Sequence, residues 1–235
     1  MKHIKGMLIA LCFIVIENSL TKAQTEQIVK DIDGNLYHII TIGDQTWMKE
    51  NLRTTKFNDG TAIPLVTDSV TWSSMSKPAY CWYKNDAKKY KETYGALYNW
   101  YTVETGKLCP TGWRVPQEPD FSFGLILINL GDEKVAGGKL KETGTTHWLS
   151  PNTGADNSSK FTALPGGFRS SYSNYSGMGI VGYWWSSSAD LDINTYSSTR
   201  PTYFFLSNKS SEAKMDKSDY VTIQNGFSVR CIKDK

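Results

Sequence analysis

Asn225-Gly226-Phe227-Ser228-Val229-Arg230-Cys231-Ile232-Lys233-Asp234 is the stretch on which the fold turns. It reads as a short alternating strand that closes on a cysteine. Cys109 stands far upstream, in Leu108-Cys109-Pro110-Thr111-Gly112-Trp113-Arg114-Val115-Pro116. A bond between these cysteines would tie the last strand to the middle of the fold and draw the two ends of the domain together.

Working outward, the first residues bear on whether such a bond can form. Residues 1–23 read as a secretory signal peptide, with Lys2, His3 and Lys5 as the positive head and Met7–Ile16 as the apolar core. Thr21 and Ala23 are small residues at the cleavage positions, so cleavage is expected after Ala23. The apolar run is about half the roughly 20 residues a membrane span needs. Lipidation at Cys12 is the alternative, but Leu11 stands where a lipobox wants a small residue. No other segment reads as a membrane span.

The formal charge of +3 falls to +1 once Lys2, Lys5, Lys22 and Glu17 are removed. So nearly neutral a chain argues against a nucleic-acid partner, for which a basic patch is expected. Cys81, Cys109 and Cys231 remain. Export favours a disulfide, and three cysteines leave one over. Cys109–Cys231 is the favoured pair, with Cys81 as a small buried hydrophobe; Cys81–Cys109 is the competing pair. Closing the longer loop contributes at most ~4–5 kcal/mol through chain entropy.

Residues 24–30 are polar and read as a flexible lead-in. Asp33-Gly34-Asn35 signals a turn, and Leu36–Ile42, Gly43-Asp44 and Gln45–Met48 read as a hairpin. Tyr80–Tyr83 is a short aromatic strand. Asn85-Asp86 caps a helical stretch running through Ala96–Val103, with a break at Gly95 and a stop at Gly106. Gln117–Leu130 is the second helix, with Pro119 in its first turn and Phe121, Leu125, Ile128 and Leu130 as its apolar face. Asp132–Lys141 is a further short helix, weakened by Gly137-Gly138. Phe161–Leu164, Gly182–Ser186, Thr202–Leu206 and Gly226–Ile232 are strand candidates. Helices in the first half and strands in the second predict an α+β domain.

These residues resemble the Fibrobacter succinogenes major paralogous domain, a family of exported bacterial proteins. The phrases that carry the resemblance include Ile42-Gly43-Asp44-Gln45-Thr46-Trp47-Met48, Glu50-Asn51-Leu52, Tyr80-Cys81-Trp82-Tyr83 and Gly95-Ala96-Leu97-Tyr98-Asn99-Trp100-Tyr101. Cys109-Pro110-Thr111-Gly112-Trp113, Ala163-Leu164-Pro165-Gly166-Gly167, Tyr183-Trp184-Trp185-Ser186-Ser187 and the closing Gly226–Cys231 continue it. The resemblance implies a single domain over 31–235. It further implies a C-type lectin-like fold, with two helices packed on a twisted antiparallel sheet. Gln117-Glu118-Pro119-Asp120 departs from the Ser-Asp opening that the second helix usually has.

Each chemical constellation has a plainer reading. Asp31-x-Asp33-Gly34-Asn35 could begin a calcium loop, but position 12, where an EF-hand needs a bidentate Glu, is Ile42; a tight turn is expected. The calcium-dependent sugar tripeptides of C-type lectins do not occur. Asp190, Asp192 and Asn194 could offer oxygens to calcium, yet they read first as a solvated loop. The formylglycine-generating branch of that fold uses paired cysteines for copper, and Phe204–Gln224 holds none, which argues against that chemistry. Ser74/Lys77 and Ser211/Lys214 lack a companion Lys-Thr-Gly. His38 and His147 sit in no nucleophile motif, and Glu50, Glu92 and Glu118 read as surface. No metal, cofactor or catalytic residue is therefore expected.

The chain carries 8 Trp, 13 Tyr and 9 Phe, which offer stacking surface for sugar rings. Trp47, Trp100, Trp113, Trp184 and Trp185 lie in the family phrases and are expected in the core. Tyr172, Tyr175 and Tyr196 lie in polar loops. With Arg169, Asp190, Asp192, Asn194 and Arg200 they form the expected contact surface, on the loops Arg169–Gly177 and Ser187–Arg200. The expected role is non-catalytic binding, outside the cell or at its surface, of a glycan or a surface protein. An enzyme with an unrecognised site in the same fold, or a structural part of a surface assembly, are the alternatives.

Overall fold

The structure is a computed structural model, and it describes residues 27–191, 199–217 and 221–235. The expected signal peptide at 1–23 and residues 24–26 of the lead-in lie outside the described residues; residues 28–30, expected to be flexible, instead form a strand paired antiparallel with Leu36–His38. The strands in chain order are β1 (Ile28–Lys30), β2 (Leu36–Ile42), β3 (Gln45–Met48), β4 (Tyr80–Cys81), β5 (Leu97–Tyr98) and β6 (Trp113–Arg114). They continue as β7 (Gly166–Arg169), β8 (Tyr175–Met178), β9 (Val181–Leu191), β10 (Thr199–Ser207), β11 (Ala213–Asp216) and β12 (Ile232–Lys233). The helices are α1 (Ser69–Ser73), α2 (Ala87–Tyr94), α3 (Trp100–Glu104) and α4 (Glu133–Leu140), with a π-helix at Asp120–Asn129.

Three sheets divide the work. One has the order β1-β2-β3-β12-β6, a second β11-β10-β9-β7-β8, and a two-stranded third pairs β4 with β5. The β2–β3 hairpin keeps its expected bounds, with Ile42 opposite Gln45. Gly43 takes φ +61° in its turn, where a side chain would be strained.

Segment 225–234 does more than close one sheet. Gly226 pairs with Arg169, Phe227 with Tyr98, and Ser228 with Trp184. Leu52 N–H donates to Val229 O and Met48 N–H to Cys231 O, while Ile232 pairs with Trp47 and Arg114. One run of residues therefore hydrogen-bonds to all three sheets. Only its end is a regular strand, because successive residues face different partners. Gly226 allows this course: a Cβ there would stand 2.9 Å from the Trp72 ring. The Cys109–Cys231 disulfide anchors the run across a sequence separation of 122, and Cys81 is a buried free thiol.

The expected C-type lectin-like arrangement is not what the chain adopts. Among the described residues no pair of long helices packs on one antiparallel sheet; the helices are short and β structure dominates. The β7–β9 pair is parallel, so the five-stranded sheet that contains it is mixed. The first expected helix stops at Gly95, whose φ is +75° and whose missing Cβ makes room for the Leu52 carbonyl. β5 then interposes before α3, and α2 buries no residue. Phe161–Leu164 is not a strand: it makes one bridge, Ala163 to Lys141, and Thr162 has φ +55°.

The second expected helix winds as a π-helix. Its buried residues Phe121, Leu125, Ile126 and Leu130 recur every four to five positions, which suits i→i+5 winding. Ile128, expected on the apolar face, is 61% exposed as a result. Gly137 and Gly138 do not weaken α4. A Cβ at either would stand 2.2 Å from a carbonyl, of Glu212 or Gly154, so the glycines let α4 press onto two loops. Trp47, Trp100, Trp184 and Trp185 are in the core, and Trp113 is half-buried. No described helix is long and apolar enough to cross a membrane.

Candidate functional site

Alternation along β9 and β10 sends Trp184, Phe204 and Leu206 to one face of their sheet and Tyr183, Trp185, Tyr203 and Phe205 to the other. On this second face Trp185 and Tyr203 are buried, while Tyr183, Phe205 and Phe168 of β7 are only half-covered. Their rings form one surface. Tyr183 stacks on Phe205 at 5.7 Å and on Phe227 at 4.8 Å, and meets Phe168 edge-on at 5.3 Å.

Above these rings opens a cleft of about 310 Å³, lined by Phe168, Ser170, Ser171, Tyr172, Tyr183, Tyr203, Val221, Asn225 and Phe227. Tyr172 stands at its edge, 85% exposed. Asn225 lies within it, 4% exposed. Its Oδ1 accepts from the N–H and Oγ1 of Thr222. Its Nδ2 donates to no described residue. The Tyr203 hydroxyl donates to Asp216 Oδ2 at 3.0 Å. Burial first, and then the Asp216 charge, raise the Tyr183 phenol above its ordinary range, so it stays a neutral donor.

A wider groove of about 610 Å³ opens nearby, lined by Gln117, Glu118, Ser187, Ser188, Asp190, Thr202, Asp216 and Lys217 among others. It is polar, and several of its groups bond to one another. Lys217 Nζ lies 2.6 Å from Asp190, Glu118 N–H donates to Ser188 Oγ, and Thr202 Oγ1 donates to the Ser188 carbonyl.

The expected contact residues separate into three groups. Tyr172 lines the aromatic cleft and Asp190 the polar groove. Arg200 is half-buried beside that groove, close enough to influence Lys217. Asp192, Asn194 and Tyr196 lie outside the described residues. Arg169 and Tyr175 are built into the scaffold, which corrects their expected place on an open loop surface. The Arg169 guanidinium is fully buried, donates to the carbonyls of Val66, Thr67 and Asp68, and lies 4.4 Å from the Trp72 ring centre. The Tyr175 hydroxyl donates to Asn85 Oδ1 and its ring packs against Tyr83. Sequence position could not show this, because the partners of Arg169 lie about a hundred residues upstream.

Asp31-x-Asp33-Gly34-Asn35 is a tight turn. Asp31 Oδ1 accepts from the N–H groups of Asp33 and Asn35, and its Oδ2 accepts from the Tyr37 hydroxyl at 2.6 Å. Each described histidine pairs with a glutamate: His38 Nδ1 with Glu50 at 2.6 Å and His147 Nδ1 with Glu142 at 2.8 Å. Neither lines a described cavity.

Phe168, Tyr183 and Asn225 of the cleft, and Phe205 stacked beside Tyr183, are residues that sequence reading missed. A period of two in Tyr183–Trp185 and Tyr203–Phe205 placed them on a face, but nothing local said that this face is only partly covered.

Residues 40–233 match the model of the Fibrobacter succinogenes major domain, and the chain belongs to that family. No curated protein and no solved structure matches it.

Proposed function

We propose that this member of the Fibrobacter succinogenes major domain family is an exported, non-catalytic binding module that takes a glycan in its aromatic cleft. The carrying observation is the half-covered row Phe168–Tyr183–Phe205, with Tyr172 exposed at its edge. Folding drives aromatic faces out of water, so a row of three left partly wet favours a partner that will cover it. Pyranose rings offer flat C–H faces for stacking and hydroxyls for edge groups. The cleft supplies both complements: ring faces, and the Asn225 amide with the Ser170, Ser171 and Tyr172 hydroxyls. A cleft of this size holds one or two sugar residues. The signal-like residues 1–23 and the Cys109–Cys231 bond favour an oxidising compartment outside the cytoplasm.

Glycan-array screening of the full chain, followed by calorimetry, tests the proposal. Replacing Tyr172 and Phe205 together by Ala should weaken binding by ~1–3 kcal/mol, the scale of ring stacking on aromatic side chains. Tyr172→Ala alone should leave the melting temperature unchanged, because an exposed side chain adds little to the core. Glycan binding that survives the double replacement places the site elsewhere. Capture of a protein ligand at the cleft in place of any glycan replaces the proposed ligand class.

A further inference from the structure

We propose that the cleft selects uncharged sugars and rejects anionic ones, with Asp216 as the excluding group; this rests on the reading of the cleft as a glycan site. None of the nine described lining residues carries a charge at neutral pH, and no Lys or Arg is among them. An anionic sugar entering this space would give up water around its carboxylate and meet no cation in return, which is costly for any ion. A fixed charge of the same sign stands directly behind one lining residue, Tyr203. Asp216 lines the neighbouring polar groove and accepts from the hydroxyl of Tyr203, whose ring lines the cleft, while the Lys217 N–H donates to its other oxygen. Its field reaches the cleft floor, since it raises the Tyr183 phenol in addition to burial. The Lys217 ammonium is itself paired, with Asp190 at 2.6 Å, in the groove that Asp216 also lines.

The donors in the cleft fit the same assignment. Asn225 Nδ2 is a neutral donor fixed by the two bonds its Oδ1 accepts, and the Ser171 and Tyr172 hydroxyls can donate or accept. Such a set matches sugar hydroxyls. It lacks the forked cation that recognition of a carboxylate or sulfate uses.

The test compares neutral and acidic probes of equal length on the full chain. Hexasaccharides of β-1,4-linked glucose, mannose and xylose stand against hexagalacturonate, with calorimetry at low and high salt. At least one neutral probe should bind, and hexagalacturonate should bind at least tenfold more weakly at low salt. The gap should narrow at high salt, because the excluding charge is exposed to screening. Asp216→Asn keeps an acceptor for Tyr203 and should strengthen hexagalacturonate binding about threefold, with neutral binding unchanged. Asp216→Lys should close the gap further.

Equal or tighter binding of hexagalacturonate, lost in the Tyr172/Phe205 double variant, overturns the selectivity while keeping the cleft as the site. Binding of all probes with no response to the double variant removes the cleft itself. No binding of any neutral probe overturns the selectivity proposal directly. Melting temperatures of the Asp216 variants should match the parent, since this carboxylate is exposed.

Discussion

Two faces of the same two strands, β9 and β10, meet different fates. On one face Trp184, Phe204 and Leu206 are sealed: Phe121 of the π-helix stacks on Phe204 at 4.8 Å, and Arg230 lies 5.9 Å over Trp184. On the other, Trp185 and Tyr203 are covered by Phe227 of the closing segment, but Tyr183 and Phe205 reach past that cover. The residues are of the same kinds on both sides. What differs is which distant element lies over them, and that difference separates a core from a cleft.

Paired replacements break the comparison most sharply. Phe204→Ala should cost ~3–5 kcal/mol of stability, as for a large buried aromatic. Phe205→Ala, one residue on, should cost less, ~2 kcal/mol, because part of its ring stays exposed. Urea denaturation of both variants checks this. Equal losses would mean that the second face is closed in solution.

A smaller effect sharpens it. The sealed face is edged by buried cations held by backbone carbonyls. Lys141 Nζ donates to Thr153 O, Ser207 O and Ser210 O at 2.7–2.9 Å, and Arg230 donates to Phe161 O. Burial lowers the Lys141 ammonium to about 8. In the unfolded chain it titrates near ~10.4. Between these values the unfolded chain binds more protons, so the Lys141 contribution to stability rises with pH from about 8. The slope is at most ~1.4 kcal/mol per pH unit. Lys141→Met should remove that slope between pH 8 and 9.5. Above pH 10 the buried Tyr37 and Tyr98 phenols, raised by burial, act in the opposite direction. Unfolding curves of parent and variant at three pH values measure the difference. A parallel pH dependence in the two proteins would contradict the assignment.

Local signals carried much of this fold. The β2–β3 hairpin follows from alternation and Gly43-Asp44, the α4 helix from Asp132 as its cap, and the Cys109–Cys231 bond from where the two cysteines stand in the chain. The rest depends on distant contacts. Gly95 could be read as a helix break, but not as the approach point for the Leu52 carbonyl that turns the break into a strand. The Phe121, Leu125 and Leu130 spacing fits both α and π winding within one helical face. Arg169 stands among Ser and Tyr in a polar stretch and reads as surface, yet its carbonyl partners at 66–68 bury it completely. Of the site, Tyr172 was visible as a loop aromatic. Tyr183 and Phe205 were not, because exposure of a sheet face depends on its cover and not on its own sequence.

The most direct measurement is a backbone and aromatic NMR titration of the full chain with a neutral hexasaccharide that binds on the array. Shifts should concentrate at Phe168, Tyr172, Tyr183, Phe205 and Asn225, with Trp184, Phe204 and the Lys141 loops unmoved. Shifts centred on Glu118, Asp190 and Lys217, with the aromatic row silent, would contradict the cleft as the site.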